Sequence, residues 1–160
     1  EKLLPEFDQE MATTRRLLER VPAGSGAWKP HAKSFSIEHL AQLVSWMPGW
    51  ITKTLREPDI NLAGGTGYSS ETPETLLAMF DSNVREAREA IAESSDDHME
   101  TMWSLKHGER VLFSLARGPA VRQHLNHLIH HRGQLSVYLR LLDVPLPSIY
   151  GPTADEQWTL

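Results

Sequence analysis

The sequence predicts an all-α fold: a four-helix bundle formed by a single domain over residues 1–160. In four segments the apolar residues recur every three or four positions, the spacing that places them on one face of a helix. Residues that favour helix starts and ends flank these segments, and no convincing sheet pattern is present. Amphipathic helices without a sheet bury their apolar faces against one another, and a chain of 160 residues can enclose such a core.

The first two helices are predicted from an apolar stripe and from capping residues. The first helix ends near residue 20, and its stripe comprises Leu4, Phe7, Met11 and Leu18. The second begins at Ser36, a good N-cap, and has Glu38 in the first turn, where the helix dipole favours an anion. It extends to about Glu57, and Pro58 helps to end it.

The third helix follows a segment, residues 61–70, that is predicted to be a loop from its glycines and serines. Thr72, Pro73 and Glu74 form a strong start signal: a capping residue, a proline at the first helical position and an acid in the first turn. The predicted stripe comprises Leu77, Phe80, Val84, Ala87 and Ile91.

Residues 94–118 interrupt the helical pattern before the last helix. Short alternating stretches around His107-Gly108 predict an extended crossing or a small hairpin in this loop-rich segment. The fourth helix is predicted from about Pro119 to Leu142. The proline-rich tail contains Ile149, Tyr150 and Trp158, so we expect it to pack along the bundle.

Composition and charge argue against several classes of function. The formal net charge is −5 and the lysines and arginines form no stripe, so no nucleic-acid partner is expected. No apolar run reaches the roughly 18 residues that span a bilayer, and no signal-peptide pattern is present, so we expect a cytoplasmic protein without a membrane partner. The chain contains no cysteine, which excludes thiolate ligands and a cysteine nucleophile from its own residues.

Four of the eight histidines lie within residues 124–131. His127 and His131 are four positions apart, about 40° around a helix, and such a pair can direct two imidazoles at one metal ion. Metal sites of the zinc type need at least three protein ligands. His39 lies on the stripe of Trp46 and Trp50 on the second helix, so we expect it to point into the bundle and to complete a three-histidine site. The alternative is that His39 is a hydrogen-bonded core residue.

Other residues of the last helix are candidates for supporting roles. Gln134 and Tyr138 lie on the same side as His127, and Gln134 could orient one imidazole or help to position substrate with Tyr138. Gly133 suggests that another backbone packs nearby, unless it is simply tolerated. Arg132 is predicted to face away and either to pair with the tail acids at residues 155–156 or to be solvated.

The remaining histidines and tryptophans are given lesser roles. His124 and His130 are interpreted as supporting or surface groups. The other three histidines are placed in loops without partners; these are His31, His98 and His107. Trp46 and Trp50 are core or edge residues by default and could also form the wall of a small pocket beside the metal. The HLIHH sequence of residues 127–131 lacks the glutamate of a zinc-protease helix, so proteolysis is not expected.

With these residues identified, the chain resembles the DinB/YfiT-like superfamily of metal-binding four-helix bundles. The resemblance rests on residues 126–156, NHLIHHRGQLSVYLRLLDVPLPSIYGPTADE, and on residues 36–50, SIEHLAQLVSWMPGW. It implies that His39, His127 and His131 bind a divalent metal, usually nickel or zinc. It also implies a bundle whose second and third helices are parallel, and often a homodimer. Some relatives are transferases or isomerases that use a low-molecular-weight thiol.

Two hypotheses about function follow. The first is a metal-dependent S-transferase, or a related isomerase or hydrolase, that joins a small thiol to an electrophilic substrate. In this hypothesis the metal generates the thiolate, so the protein needs no cysteine of its own. The second is a non-catalytic, metal-stabilised bundle that dimerises or binds a small ligand, because no unambiguous acid or base accompanies the histidines.

Overall fold

The computed structural model describes residues 3–65 and 67–157, which form four long helices, one short helix and a small sheet. The helices are α1 (Leu3–Leu18), α2 (Ile37–Arg56), α3 (Pro73–Glu93), α4 (Asp96–Met99) and α5 (Arg117–Leu141). The strands are β1 (Asp59–Asn61), β2 (Met102–His107) and β3 (Arg110–Ala116). The protein is mostly helical, and the four long helices lie close to their predicted positions. Trp158, expected to pack with the tail, lies outside the described residues.

The predicted helix starts are confirmed at α2 and α3. The Ser36 hydroxyl accepts a hydrogen bond from the backbone N–H of His39, and the Thr72 hydroxyl accepts one from Thr75 (3.2 Å each). Each bond satisfies one of the N–H groups that a helix leaves unpaired at its start. Pro73 occupies the first turn of α3, where its missing N–H costs nothing.

The prediction of an all-α fold holds in part, because the protein is mostly helical but also contains a mixed three-stranded sheet. Strands β2 and β3 form an antiparallel hairpin that turns at Gly108, whose positive φ of 60° suits glycine. Strand β1 pairs in parallel with β2. The segment predicted to be a loop, residues 61–70, therefore starts with the last residue of β1, which is followed by a 3₁₀ turn at Leu62–Gly64. A three-residue strand has no periodicity, and its partner lies more than forty positions later in the chain.

Two groups of apolar side chains are buried. The larger lies between α1, α2, α3 and α5 and includes Phe7, Met11, Leu40, Val44, Met47, Phe80, Leu125, Leu128 and Leu135. The smaller lies under the sheet and comprises Ile60, Trp103, Leu105 and Ala120. Trp50 of α2 packs against both clusters and so connects the sheet to the helices.

Helices α2 and α3 run in the same direction along each other. The Asn83 side-chain amide donates to the carbonyl of Ser45 (2.9 Å), and Arg56 pairs with Glu93 further along both helices (3.1 Å). Gly49 permits this close approach, because a Cβ atom at that position would lie 3.1 Å from Oδ1 of Asn83.

Gly133 does not have the packing role that the sequence suggested. It is exposed, and a Cβ atom at this position would meet nothing within 4 Å. Its helical backbone also needs no positive φ. Glycine at this position therefore has no conformational or steric requirement within the described chain.

The placement predicted for Arg132 is also wrong. Arg132 is buried, with 2% of its surface exposed, and forms an ion pair with Glu10 of α1 (2.6 Å). Its guanidinium donates to the Tyr150 hydroxyl (2.8 Å), which itself donates to Glu10 (2.9 Å). The tail acids pair elsewhere: Asp155 with Arg140, and Glu156 with Arg16. The tail does pack along the helices, as expected.

Within the described residues, none of the helices has the length and apolar character needed to cross a membrane.

Removal of one partner of the buried ion pair is expected to destabilise the fold strongly. Glu10→Leu leaves the Arg132 guanidinium buried without a counter-charge, so the free energy of unfolding should fall by about 3 kcal/mol or more. Urea denaturation measures this, with Asp8→Leu as the control, because Asp8 pairs with the exposed Arg88 and should contribute less than about 1 kcal/mol. Equal effects of the two substitutions would contradict the importance of the buried pair.

The two helical glycines are expected to respond differently to alanine. Gly133→Ala should raise the free energy of unfolding by up to about 1 kcal/mol, because alanine favours helix and the space is open. Gly49→Ala should raise the free energy of unfolding less than Gly133→Ala, or lower it, because the added methyl group would lie too close to the Asn83 side chain. Thermal or urea denaturation of both variants makes the comparison, and a greater gain at residue 49 would contradict it.

Candidate functional site

His127 and His131 form a close pair on α5. Their Nε2 atoms are 2.7 Å apart, and their ring centroids are separated by 4.5 Å. One turn of helix between them places both imidazoles on the same face. His131 is buried, with 8% of its surface exposed, whereas His127 is exposed, so the pair is open to solvent on one side.

Gln134 fixes the orientation of the inner imidazole. Its Oε1 atom lies 2.8 Å from Nδ1 of His131, and an oxygen at this position accepts a hydrogen bond from an Nδ1–H group. His131 then has its proton on Nδ1 and a lone pair on Nε2, directed at His127. This is the arrangement in which a second group prepares a histidine as a metal ligand.

His39 lies at the N-terminal end of α2 and is half-buried. Its ring is stacked on Tyr68 (centroids 4.6 Å apart, planes at 25°) and also contacts Phe35 (4.3 Å). The expectation that it shares the core-facing stripe needs correction. The stripe through Leu43, Trp46 and Trp50 is half-buried like His39, and it forms the edge of the helix face that reaches the core. The residues that line the core from α2 include Leu40, Ala41, Val44, Met47 and Ile51.

The loop that brings Tyr68 over His39 is bound to α2 by hydrogen bonds. The fully buried Gln42 donates from Nε2 to the carbonyl and hydroxyl of Ser69, and its Oε1 accepts from the Ser69 N–H (3.0, 2.7 and 3.2 Å). Glu38 accepts a hydrogen bond from the backbone N–H of Glu71. Tyr68 and Phe35 were not predicted as site residues, although Tyr68 is the one aromatic residue in the segment of residues 61–70.

The contacts between α2 and α5 show that the two helices run antiparallel. Near one end the Trp50 ring contacts the His124 ring (5.6 Å), and near the other Tyr138 donates from its hydroxyl to the Phe35 carbonyl (3.3 Å). Counting back along both helices from these contacts places His39 roughly level with Gln134, about one turn from His131.

The structure brings two of the three expected ligands together. Within residues 3–65 and 67–157, no group of three or more histidine, aspartate or glutamate side chains is placed so that it could hold a metal ion. The His39 ring is occupied by its stack with Tyr68 and Phe35 and is not part of such a group. The predicted three-histidine set is therefore present as a close pair plus one neighbour.

Burial keeps all three imidazoles neutral near neutral pH. It lowers the pKa of His39, and it is the largest cause of the lowered pKa of His127, to which the neighbouring His131 and His130 add repulsion. Burial likewise lowers the pKa of His131, partly opposed by its hydrogen bond with Gln134. A neutral imidazole has the free lone pair that a metal ion requires.

His124 is a buried residue and neither supports the histidine pair nor lies at the surface. Only 3% of its surface is exposed, and the Trp50 and Trp103 rings each meet it edge to face at 5.6 Å. Its Nε2 atom has no hydrogen-bond partner among the described residues. Burial, with a smaller contribution from the nearby His127, lowers the pKa of His124 to about 4.

Three histidines were predicted to lie in loops without partners, and two of them, His98 and His31, do have hydrogen-bond partners. His98 lies in α4, and its Nε2 atom is 2.8 Å from the Leu55 carbonyl oxygen at the end of α2. Nδ1 of His31 accepts a hydrogen bond from the backbone N–H of Lys33 (3.1 Å). Both contacts are with backbone atoms, and they indicate structural roles.

Trp46 and Trp50 line a pocket of about 410 Å³ between α2 and the segment that follows β1. Tyr138 lies near the opposite end of α2 and contacts the edge of Trp28 (5.6 Å) as well as the Phe35 carbonyl. The residues expected to contact substrate therefore lie at two places along α2.

The free energy of unfolding is expected to fall in acid because of His124. The unfolded chain binds a proton at His124 near pH 6.5 and the folded chain only near pH 4, so the unfolded state holds more protons between these values. Stability from this group is therefore present above pH 6.5 and is lost as the pH falls toward 4, by roughly 2 to 3 kcal/mol.

Urea denaturation of metal-free protein at pH 7 and pH 4.5 measures this loss. In His124→Leu the decrease between the two pH values should be smaller than in the unaltered protein by about 2 kcal/mol. An identical decrease in both proteins would show that His124 is not the group responsible.

Comparisons with known proteins identify the family. The sequence profile of the DinB family matches residues 1–159, and the chain belongs to that family. Among solved structures, it is similar to a DinB-like protein from Bacillus subtilis, with 17% identity over 99% of this chain and 100% of the other (TM-score 0.73). It is also similar to a DinB-like protein from Bacillus cereus, with 20% identity over 92% of this chain and 95% of the other (TM-score 0.72). No relative was found among curated proteins.

Proposed function

We propose that this member of the DinB family binds a divalent metal ion, Ni²⁺ or Zn²⁺, through His39, His127 and His131. We further propose that the metal site serves a thiol S-transferase, or a related isomerase or hydrolase. The observation that carries the proposal is the convergence of the His127 and His131 Nε2 atoms, with the Nδ1 atom of His131 held by Gln134. The four long helices would form the four-helix bundle that is expected of the family.

The histidine pair fits a metal ion after a small adjustment. Two nitrogens bound to one tetrahedral ion at about 2.0–2.1 Å lie about 3.3 Å apart, which is slightly wider than the 2.7 Å separation of this pair. Small rotations of the two rings would open the gap. His131 already directs a lone pair into it, and the exposed His127 can lose its Nε2 proton to solvent or carry it on Nδ1.

His39 would provide the third nitrogen by turning out of its aromatic stack. It lies about one turn from the level of His131, and its ring is packed between Phe35 and Tyr68 without a hydrogen bond to either. Its pKa is lowered by burial, so no proton has to be removed for it to bind a metal near neutral pH. A metal ion would replace the stacking contacts with a stronger bond.

Coordination to such an ion lowers the pKa of a thiol, which would supply a thiolate nucleophile to a protein without cysteine. The chain's own residues would orient the reactants. Gln134 holds the His131 imidazole, and the Tyr138 hydroxyl lies on the same face of α5. Trp46 and Trp50 border a pocket that can hold an electrophilic substrate.

A second candidate is a non-catalytic module that dimerises or binds a small ligand. Two observations favour it: among the described residues no carboxylate bonds to the histidine pair, and apolar side chains lie exposed on α5 at Val137 and Leu141. Val137 and Leu141 lie one turn apart and would form part of a homodimer interface. Sedimentation of the unaltered chain and of Val137→Glu separates a dimer from a monomer without reference to catalysis.

Metal content provides the direct test of the proposed site. Protein prepared without a histidine tag and incubated with Ni²⁺ or Zn²⁺ should retain about one ion per chain after dialysis, and removal by a chelator should lower the melting temperature. His127→Ala and His131→Ala should abolish retention, because one histidine pair is lost. His39→Ala should weaken it by tenfold or more.

The exposed His107, at the end of β2, provides the matched control. His107→Ala should retain metal like the unaltered protein. Substoichiometric metal in every preparation, together with a melting temperature indifferent to chelator, would contradict the metal site. If metal binds normally, turnover of a small thiol with monochlorobimane tests the transferase separately, and turnover unchanged in His127→Ala would exclude the metal mechanism.

A further inference from the structure

We infer that the pocket between α2 and the described residues 60–65 and Gly67 binds a small, planar aromatic anion, such as an aromatic carboxylate. The pocket has a volume of about 410 Å³, large enough for a ligand of one or two rings. This is the pocket that the proposed function assigns to the electrophilic substrate, and the inference deepens that assignment. Its lining contains none of the three proposed metal ligands, so binding of the anion does not require a metal ion. The described residues that line it come from α2, α3, β1 and the glycine-rich segment after β1.

Two indole rings provide the apolar wall. Trp46 and Trp50 are four positions apart on α2, so their side chains lie on the same side of the helix. Both are half-buried. Trp50 is held by its edge-to-face contact with the buried His124 and by packing against both apolar clusters. A fixed aromatic surface that remains partly open suits the flat face of an aromatic ligand.

One positive charge lies in the lining. Lys53, one turn after Gly49 on α2, is the single charged residue among those lining the pocket. No hydrogen bond or ion pair of its ammonium occurs within the described part of the chain. Two other cations differ from Lys53 in having a carboxylate partner: Arg56 pairs with Glu93, and Lys106 pairs with Asp59. Lys53 is therefore an exposed cation free to pair with a ligand anion.

The other polar groups of the pocket are largely engaged. The Asn61 oxygen accepts from the N–H groups of Ala63 and Gly108, and its amide nitrogen donates to the Gly108 carbonyl. The Asn83 nitrogen donates to Ser45, which leaves its oxygen as an acceptor at the wall. The lining thus combines two indoles with one ammonium, a set that favours an aromatic body with an anionic group. The Asn83 oxygen can accept a hydrogen bond only from a donor group of the ligand.

One glycine of the rim, Gly64, leaves space for a ligand. Gly64 has no positive φ, and a Cβ atom there would meet nothing within 4 Å. Neither backbone conformation nor packing within the described chain demands glycine at this position. Glycine is the residue that lets a backbone approach a ligand closely, and the pocket that Gly64 lines offers a reason for it.

The test uses 2-naphthoate and its neutral counterpart 2-naphthamide on chelator-treated, metal-free protein. Both probes have the same two rings, and only the naphthoate has a charge. Titration calorimetry or quenching of tryptophan fluorescence should show saturable binding with naphthoate preferred. Lys53→Gln should weaken naphthoate binding about threefold to fivefold and leave naphthamide unchanged, because an exposed ion pair is lost. Trp46→Ala should weaken binding of both probes.

Lys33→Gln provides the matched control, since Lys33 is an exposed lysine in the loop before α2. It should bind both probes like the unaltered protein. Equal affinity for the two probes, an equal effect of Lys33→Gln and Lys53→Gln, or absence of saturable binding at millimolar concentration would overturn the inference. Because Lys53 is exposed, its substitution should leave the melting temperature unchanged. Because the titration uses metal-free protein, absence of naphthoate binding can be distinguished from absence of metal binding at the proposed histidine site.

Discussion

The buried ion pair between Arg132 and Glu10 sets the rotation of α5, and the functional arrangement of the protein follows from that rotation. The Arg132 guanidinium is almost completely removed from water, so its charge must stay beside Glu10 and Tyr150. Each residue of a helix is turned about 100° from the one before it. With Arg132 facing α1, His131 is turned to a different side of α5, where it meets His127 and Gln134.

Helix α5 therefore has polar or aromatic contacts on several of its faces. Leu125, Leu128 and Leu135 pack in the main core, whereas His124 enters the aromatic cluster formed by Trp50 and Trp103 under the sheet. This explains why the helix contains four histidines among its apolar positions. One is buried with tryptophans, two form the pair, and His130 is exposed against the ring of His131. The antiparallel contact with α2 then brings His39 to within about one turn of the level of His131.

The sequence predicts the four long helices well because their signals are local. Ser36 and Thr72 cap α2 and α3 through bonds to residues three positions away, and the apolar stripes need only the geometry of one helix. The errors concern partners distant in the chain. Strand β1 depends on β2, and Arg132 depends on Glu10, more than a hundred residues earlier. No spacing within one segment can show either.

The same distinction applies to the site. The proximity of His127 and His131 follows from their spacing on one helix, and so does the hydrogen bond with Gln134. The surroundings of His39 depend on a loop that Gln42 holds through Ser69, and this loop places Tyr68 on the imidazole. The periodicity of α2 predicts a core-facing His39, whereas its stripe is half-buried, and periodicity cannot show the contact with Tyr68. The spacing of the histidines and the resemblance to the DinB family both predict the three-histidine set, and the structure shows the His127–His131 pair and its orientation.

The central claim is that three imidazoles of this chain bind one metal ion, and X-ray absorption spectroscopy of the nickel- or zinc-loaded protein tests it most directly. Three histidine nitrogens at about 2.0–2.1 Å, with the multiple-scattering pattern of imidazole rings and the remaining positions filled by oxygen, are the result that the account predicts. A spectrum that requires two imidazoles, or oxygen ligands alone, would contradict the three-histidine site.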